Sequence, residues 1–417
     1  MKREVARPGQ RPDPTEAGSV GVVHTQFADL PEPLPLDCGA VLPQVRIAYE
    51  TYGELAPARD NVVLVCHALS GDAHAAGWSA EPDTPTALDG IGADERGVQP
   101  RSGLGWWDTM IGPGKPFDTE RYFVVSSNLL GGCRGSTGPS SIDPETGGPY
   151  GPRFPVVTVG DMVRAQKSLL DLLGVDSILA VTGASLGGMQ ALDWMVRYPE
   201  AVRGSIPIAC TARLDAQGMA WNAIARNAIM ADPDWQGGDY YGTERAPVLG
   251  IGVARMVGHV TYLSRRSMDM KFGRRLQDRD DYSYTLTEAD FAVESYLRHQ
   301  ARKFAERFDA NTYLYMSRAL TYFDLAATHG SGSIQRALEK AKARTCLVSF
   351  TSDWIYPPRD SFELYEVLTA CGKDVEWHNL ETAYGHDSFL LEEEKQAPII
   401  SSFLERTYAG SEVTPHV

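Results

Sequence analysis

The stretch Ile178-Leu179-Ala180-Val181-Thr182-Gly183-Ala184-Ser185-Leu186-Gly187-Gly188-Met189 passes from an apolar run into a glycine turn around one serine, then into a helical pattern reaching Tyr198. Such a run suits a strand buried on both faces, and small residues flanking Ser185 permit a strained turn that presents its hydroxyl outward. G-x-S-x-G alone recurs by chance, but between strand and helix it marks a nucleophile. The alternative, a tight turn with an inert serine, is weighed by whether Ser185 has partners.

Outward from this stretch, apolar runs recur at residues 62–66, 122–125, 206–209 and 346–350, with a further candidate strand at 375–380. Non-alternating runs belong in a mainly parallel sheet. Helical patterns lie between them, as at 161–173, where Asp161 is the expected N-cap and Gly174 the stop. Strand and helix alternate, so the class is α/β. Between residues 211 and 344 strand-like runs give way to helical periodicity at 221–230, 253–265, 289–307 and 312–327. The expected organisation is a core of residues 21–210 and 345–417, a helical cap over it at 211–344, and a loose polar arm at 1–20. Glycine-rich stretches at 71–105 and 131–151 read as long functional loops.

Composition narrows the function. The chain has 417 residues, 43% hydrophobic and 22% charged, an ordinary globular balance. A net charge of -15 repels phosphate backbones and anionic lipid, so neither nucleic acid nor membrane is expected as a partner. With no signal-peptide-like start and no membrane-length apolar run, the expected compartment is the cytoplasm. Cys38, Cys66, Cys133, Cys210, Cys346 and Cys371 form no C-x-x-C pair and are expected to be reduced and mostly buried. No clustered Cys and His at short spacing suggests a metal, and no bound cofactor is expected.

A serine hydroxyl needs a base, usually histidine, oriented by a carboxylate; on this kind of sheet the chain order is Ser, then Asp or Glu, then His. The 346–350 run leads into Thr351-Ser352-Asp353, and the 375–380 run is followed by Tyr384-Gly385-His386-Asp387. Order and loop position select Ser185, Asp353 and His386. Oxyanion donors are expected from the backbone amides of Leu186 and Leu69, the latter in His67-Ala68-Leu69-Ser70-Gly71. His67 takes a supporting role at that loop, while His259, His299 and His329 fall in the helical stretch and read as packing or surface.

A triad suits an esterase equally well. The chain, however, resembles the homoserine O-acyltransferases of the α/β-hydrolase superfamily. The resemblance rests on Tyr49-Glu50-Thr51-Tyr52-Gly53-Glu54-Leu55, the His67–Gly71 loop, Gly105-Trp106-Trp107-Asp108, the block 128–141, Phe308-Asp309-Ala310 and Tyr384-Gly385-His386-Asp387. It implies an α/β-hydrolase fold with a helical cap, a homodimer joined through the caps, and ping-pong transfer from acetyl-CoA to the L-homoserine hydroxyl through acetyl-Ser185. It further implies that Arg255, Tyr262 and Asp387 contact the amino acid, a guanidinium gripping the carboxylate and an aspartate the ammonium. Read without the resemblance, Arg255 is a cap ion-pair residue and Asp387 an orienter of His386; Arg226 is a weaker competitor for the substrate. Ile355 stands where succinyl-using relatives look to carry arginine, which favours acetyl; succinyl-CoA as donor and serine as acceptor remain the alternatives. The basic run Arg265, Arg266, Lys271, Arg274 and Arg275 is a solvated helix face or a contact for CoA phosphates.

Overall fold

The computed structural model describes residues 15–80 and 103–410; most of the expected arm and the loop segment at 81–102 lie outside them. Among the described residues, eight strands form the central sheet: β1 (Gln26–Asp29), β2 (Arg46–Tyr52), β3 (Val62–Cys66), β4 (Phe123–Ser127), β5 (Ile178–Ala184), β6 (Val202–Ile208), β7 (Arg344–Phe350) and β8 (Val375–Leu380). Their order is β8-β7-β6-β5-β3-β4-β2-β1. From β8 to β4 every pairing is parallel; β2 runs antiparallel to both β4 and β1. Residues of β3 and β5 are buried throughout, as an inner strand with helices on both faces requires.

One face carries α1 (Val159–Leu172) and α2 (Leu186–Arg197). Met162, Leu169, Leu192 and Trp194 pack there on Val62, Leu64 and Val181. The expected N-cap at Asp161 is corrected: Thr158 is the cap, three residues earlier. Its hydroxyl accepts from the Asp161 amide while the Asp161 carboxylate accepts from the Thr158 amide, a capping box that a lone-Asp signal does not separate from an N-cap. Gly174, at φ +70°, follows the last turn as expected.

Between β6 and β7 the chain forms α3 (Ala216–Met230), α4 (Val248–Tyr262), α5 (Arg265–Lys271), α6 (Ala292–Arg307), α7 (Ala310–Tyr322), α8 (Leu325–Gly330) and α9 (Ile334–Leu338). Ile229, Ile251, Ala254 and Phe304 belong to the same hydrophobic cluster as the α1/α2 face, so this helical layer shares the core of the sheet. The expected helix at 312–327 is two, since Phe323 leaves helical geometry and Asp324 caps a new start. After β7 come α10 (Pro358–Ala370), α11 (Ser388–Leu391) and α12 (Glu393–Ala409). Ile400, Phe403 and Leu404 of α12 cover the opposite face against Val63, Val124, Ile206 and Val348. The layering is helix, sheet, helix: an α/β-hydrolase fold.

All six cysteines are free. Cys66, Cys210 and Cys346 are buried, but Cys133 and Cys371 are intermediate and Cys38 is exposed, so burial holds for half of them. Cys38 lies in a turn, where apolar packing does not constrain it.

Candidate active site

β5 ends at Ala184, and Ser185 adopts φ 59° and ψ -122°, a left-handed conformation that turns the chain from strand into α2. A non-glycine residue held at positive φ stores strain that the surroundings must impose. Here the Ser185 amide donates to the Ile208 carbonyl at 3.0 Å, and the strand and helix close on each other around it. A Cβ at Gly187 would lie 2.1 Å from the Cys66 carbonyl oxygen, so only glycine lets α2 cross β3 this closely.

Asp353 follows β7, and its carboxylate is divided between two tasks. Oδ1 accepts from the Ile355 and Tyr356 amides, each at 3.0 Å, and Oδ2 receives His386 Nδ1 at 2.7 Å. Both side chains are almost wholly buried. Burial alone pushes the His386 imidazole down; the charge and hydrogen bond of Asp353, with the charge of Asp387, outweigh it and raise the pKa above the ordinary histidine value. With Nδ1 engaged, Nε2 is the nitrogen left for proton transfer.

Ser185 and His386 line one pocket together with Ala68, Leu69, Trp106, Arg255, Tyr262, Asp387 and Phe389. The pocket thus brings together all three sequence-predicted substrate residues with Leu69 and Ser185; Leu186 opens α2 beside Ser185, where the helix dipole favours negative charge. Burial raises the Asp387 carboxyl, against the lowering influence of His386 and Arg255. The Tyr262 ring stands 5.9 Å from the His386 ring.

The α4 helix carrying Arg255 is fastened to the loops carrying Asp353 and His386. Trp354 Nε1 donates to the Leu263 carbonyl at 3.1 Å, the Ser264 hydroxyl donates to the Ala383 carbonyl, and Gly385 lies so close that a Cβ would meet the Ser264 amide nitrogen and the Tyr262 carbonyl oxygen at 2.5 Å. The competing residues fall elsewhere. Arg226 is buried and spends its guanidinium on Ser317 and Thr321. His67 donates from Nδ1 to the Ala68 carbonyl and accepts the Leu129 amide at Nε2, bracing the Leu69 loop as a neutral ring, its pKa lowered chiefly by burial. His329 bonds Asp193, His299 is exposed, and His259 is buried against the Tyr296 hydroxyl. In the basic run Arg265 is 95% exposed and pairs with Asp269, whereas Lys271 folds inward over the Tyr296 ring.

The family model of the alpha/beta hydrolase fold matches residues 61–393. A homoserine O-acetyltransferase of Solidesulfovibrio magneticus is 50% identical over 391 residues, spanning 93% of this chain and 94% of that protein. This chain belongs to the homoserine O-acetyltransferase family. The family's member from Nitrobacter hamburgensis is 49% identical over 374 residues, 89% of this chain and 88% of its own. Among solved structures, the homoserine O-acetyltransferase of Bacillus anthracis superposes with a TM-score of 0.81 at 28% identity, covering 92% of this chain and 98% of that one. Esterase E22 superposes with a TM-score of 0.80 at 30% identity, covering 92% and 100%.

Two features of the site had no signal in the sequence. Tyr356 is buried with its ring 5.2 Å from that of His386, and nothing in Trp354-Ile355-Tyr356-Pro357 distinguishes it from a core aromatic. Phe304 lies under the Arg255 guanidinium, a contact between two separate helices. Away from the site, strand register brings Cys346, Glu376 and His378 within 4.8 Å of one another, a grouping that local Cys and His spacing did not reveal; Arg406 bonds Glu376 there at 2.6 Å.

Proposed function

We propose that the chain transfers an acetyl group from acetyl-CoA to the hydroxyl of L-homoserine, giving O-acetyl-L-homoserine and CoA, as a step of methionine biosynthesis. The observation that carries this reading is the pairing of Arg255 and Asp387 in the pocket of Ser185 and His386. A guanidinium and a carboxylate in one pocket suit the carboxylate and ammonium of an amino acid, whereas an ordinary ester offers neither charge.

Ser185 Oγ attacks the thioester carbonyl while His386 Nε2 takes its proton. The resulting oxyanion accepts from the Leu69 and Leu186 amides, each such donor being worth about 10²- to 10³-fold in rate. The intermediate collapses with cleavage of the C–S bond, the imidazolium returns the proton to sulfur, and CoA leaves as the thiol. Homoserine then enters, its carboxylate on Arg255 and Tyr262 and its ammonium on Asp387. His386 removes the hydroxyl proton as the oxygen attacks the acetyl-serine carbonyl, then protonates Ser185 Oγ as it departs. The chemistry uses the triad alone, without metal or bound cofactor.

We place the enzyme in the cytoplasm as a homodimer joined through its helical layer. Support comes from apolar side chains left exposed on α3 and α4: Met219, Ile224, Val248, Leu249, Val253 and Val260. No described helix is long and apolar enough to cross a membrane.

The similarity to esterase E22 favours a second reading, hydrolysis of an acyl ester. CoA thiol release measured with acetyl-CoA or succinyl-CoA, and with homoserine, serine or water as acceptor, separates the two. Fast release confined to acetyl-CoA with homoserine is expected; equal release with water alone makes the chain a hydrolase, and a preference for serine or succinyl-CoA changes the substrate assignment.

A further inference from the structure

Arg255 is a buried cation whose Nε has no hydrogen-bond partner among the described residues. Its guanidinium lies 4.7 Å from the centroid of the Phe304 ring, itself 1% exposed and stacked at 4.9 Å on Phe308. The same ring receives the Arg307 guanidinium at 5.1 Å. Arg307 in turn donates to the Ser70 carbonyl at 3.4 Å, in the loop of Leu69. Two like charges therefore converge on one aromatic ring. The neighbouring His259 adds no third positive charge, since burial and the cations Arg255, Lys271 and Arg307 disfavour its protonated ring.

We propose that Phe304 is the positioning residue that holds Arg255 ready for the amino-acid carboxylate, and so contributes to acceptor specificity. A carboxylate at position 304 would hold Arg255 too, but would neutralise it and occupy the donors that the substrate needs. An aliphatic side chain would leave the guanidinium unsupported in a dry site. The face of an aromatic ring attracts the cation electrostatically without accepting its in-plane N–H groups, which stay free for a bidentate partner. This rests on the reading of Arg255 as the carboxylate site.

The test replaces Phe304 by mono-, di- and trifluorophenylalanine, which keep the shape of the ring while draining its negative face. The KM for homoserine should climb with each fluorine, reaching about tenfold at three, the size expected of a desolvated cation–π contact, with kcat at saturating homoserine little changed. Phe304→Leu should give a similar KM rise, and Phe304→Tyr should restore the low KM. A KM independent of fluorination, in an enzyme whose Arg255→Ala variant does show a raised KM, overturns the role of Phe304. An Arg255→Ala enzyme with unaltered homoserine KM overturns the carboxylate reading itself.

Discussion

At the residue scale the site is a set of charges whose protonation states depend on one another. The raised pKa of His386 owes part of its elevation to Asp387. The imidazole must be neutral to act as base, so enzyme acetylation should fail as pH drops through that raised value. Asp387→Asn removes one source of elevation and should move the acid limb of acetyl-enzyme formation to lower pH, besides weakening homoserine binding. Rapid-quench measurement of acetylation across pH checks this, and a limb that stays put or moves upward contradicts it. Arg255→Ala removes a charge-assisted pair to the substrate carboxylate and should raise the homoserine KM about 100-fold or more, as steady-state kinetics would show. The positions of Ser185 and Asp353 were legible because each lies beyond the C-terminal end of an apolar strand, and that of His386 because it follows the next strand, β8, in the chain order expected on such a sheet. The Arg255–Phe304 contact was not, because helical periodicity reports only which face of α4 or α6 is buried, never what lies across from it.

At the element scale, geometry is imposed by close approaches rather than by side-chain contacts alone. Gly385 has φ +78° and no room for a Cβ between the histidine loop and the end of α4. Gly385→Ala should therefore push His386 and Arg255 apart, lowering kcat/KM for homoserine by about 10² or more and destabilising the fold by about 1–3 kcal/mol. Thermal unfolding beside kinetics checks both halves. A second device anchors β2 to the loop after β3. Glu50 of β2 is 1% exposed, and its carboxylate accepts from Thr25, Tyr52 and His74. Burial opposes protonation of His74, but the hydrogen bond and charge of Glu50 prevail and its pKa is raised. Folding then tightens proton binding, so this stabilisation is full below the unfolded value, about 6.5, and fades as pH rises through the folded one. The Tm gap between the native enzyme and His74→Gln should narrow as pH rises; a gap that widens refutes the ion pair. The same residues explain why β2 escaped the sequence reading. Arg-Ile-Ala-Tyr-Glu-Thr-Tyr mixes charged and apolar positions, and a glutamate whose partners Thr25 and His74 lie far along the chain does not announce itself as buried. The inner strands β3 and β5, apolar along their length, were plain.

At the scale of the whole molecule, a helical layer inserted between β6 and β7 shares its hydrophobic core with the sheet and contributes Arg255 and Tyr262 to the pocket of Ser185. Its outer face leaves Leu249 77% exposed among other apolar side chains. Light scattering should give twice the chain mass, and Leu249→Lys should shift the distribution toward the monomer; a wild-type monomer mass contradicts the dimer. The central claim concerns what Ser185 carries between the two substrates, and intact-protein mass spectrometry of enzyme mixed with acetyl-CoA alone addresses it most directly. The account predicts one added acetyl group, located on the Ser185 peptide, absent from Ser185→Ala, stable against water on the timescale of turnover and discharged at once by homoserine as O-acetylhomoserine. Acetyl transfer that persists in Ser185→Ala, or an acetyl-enzyme that water discharges as fast as homoserine does, would contradict it.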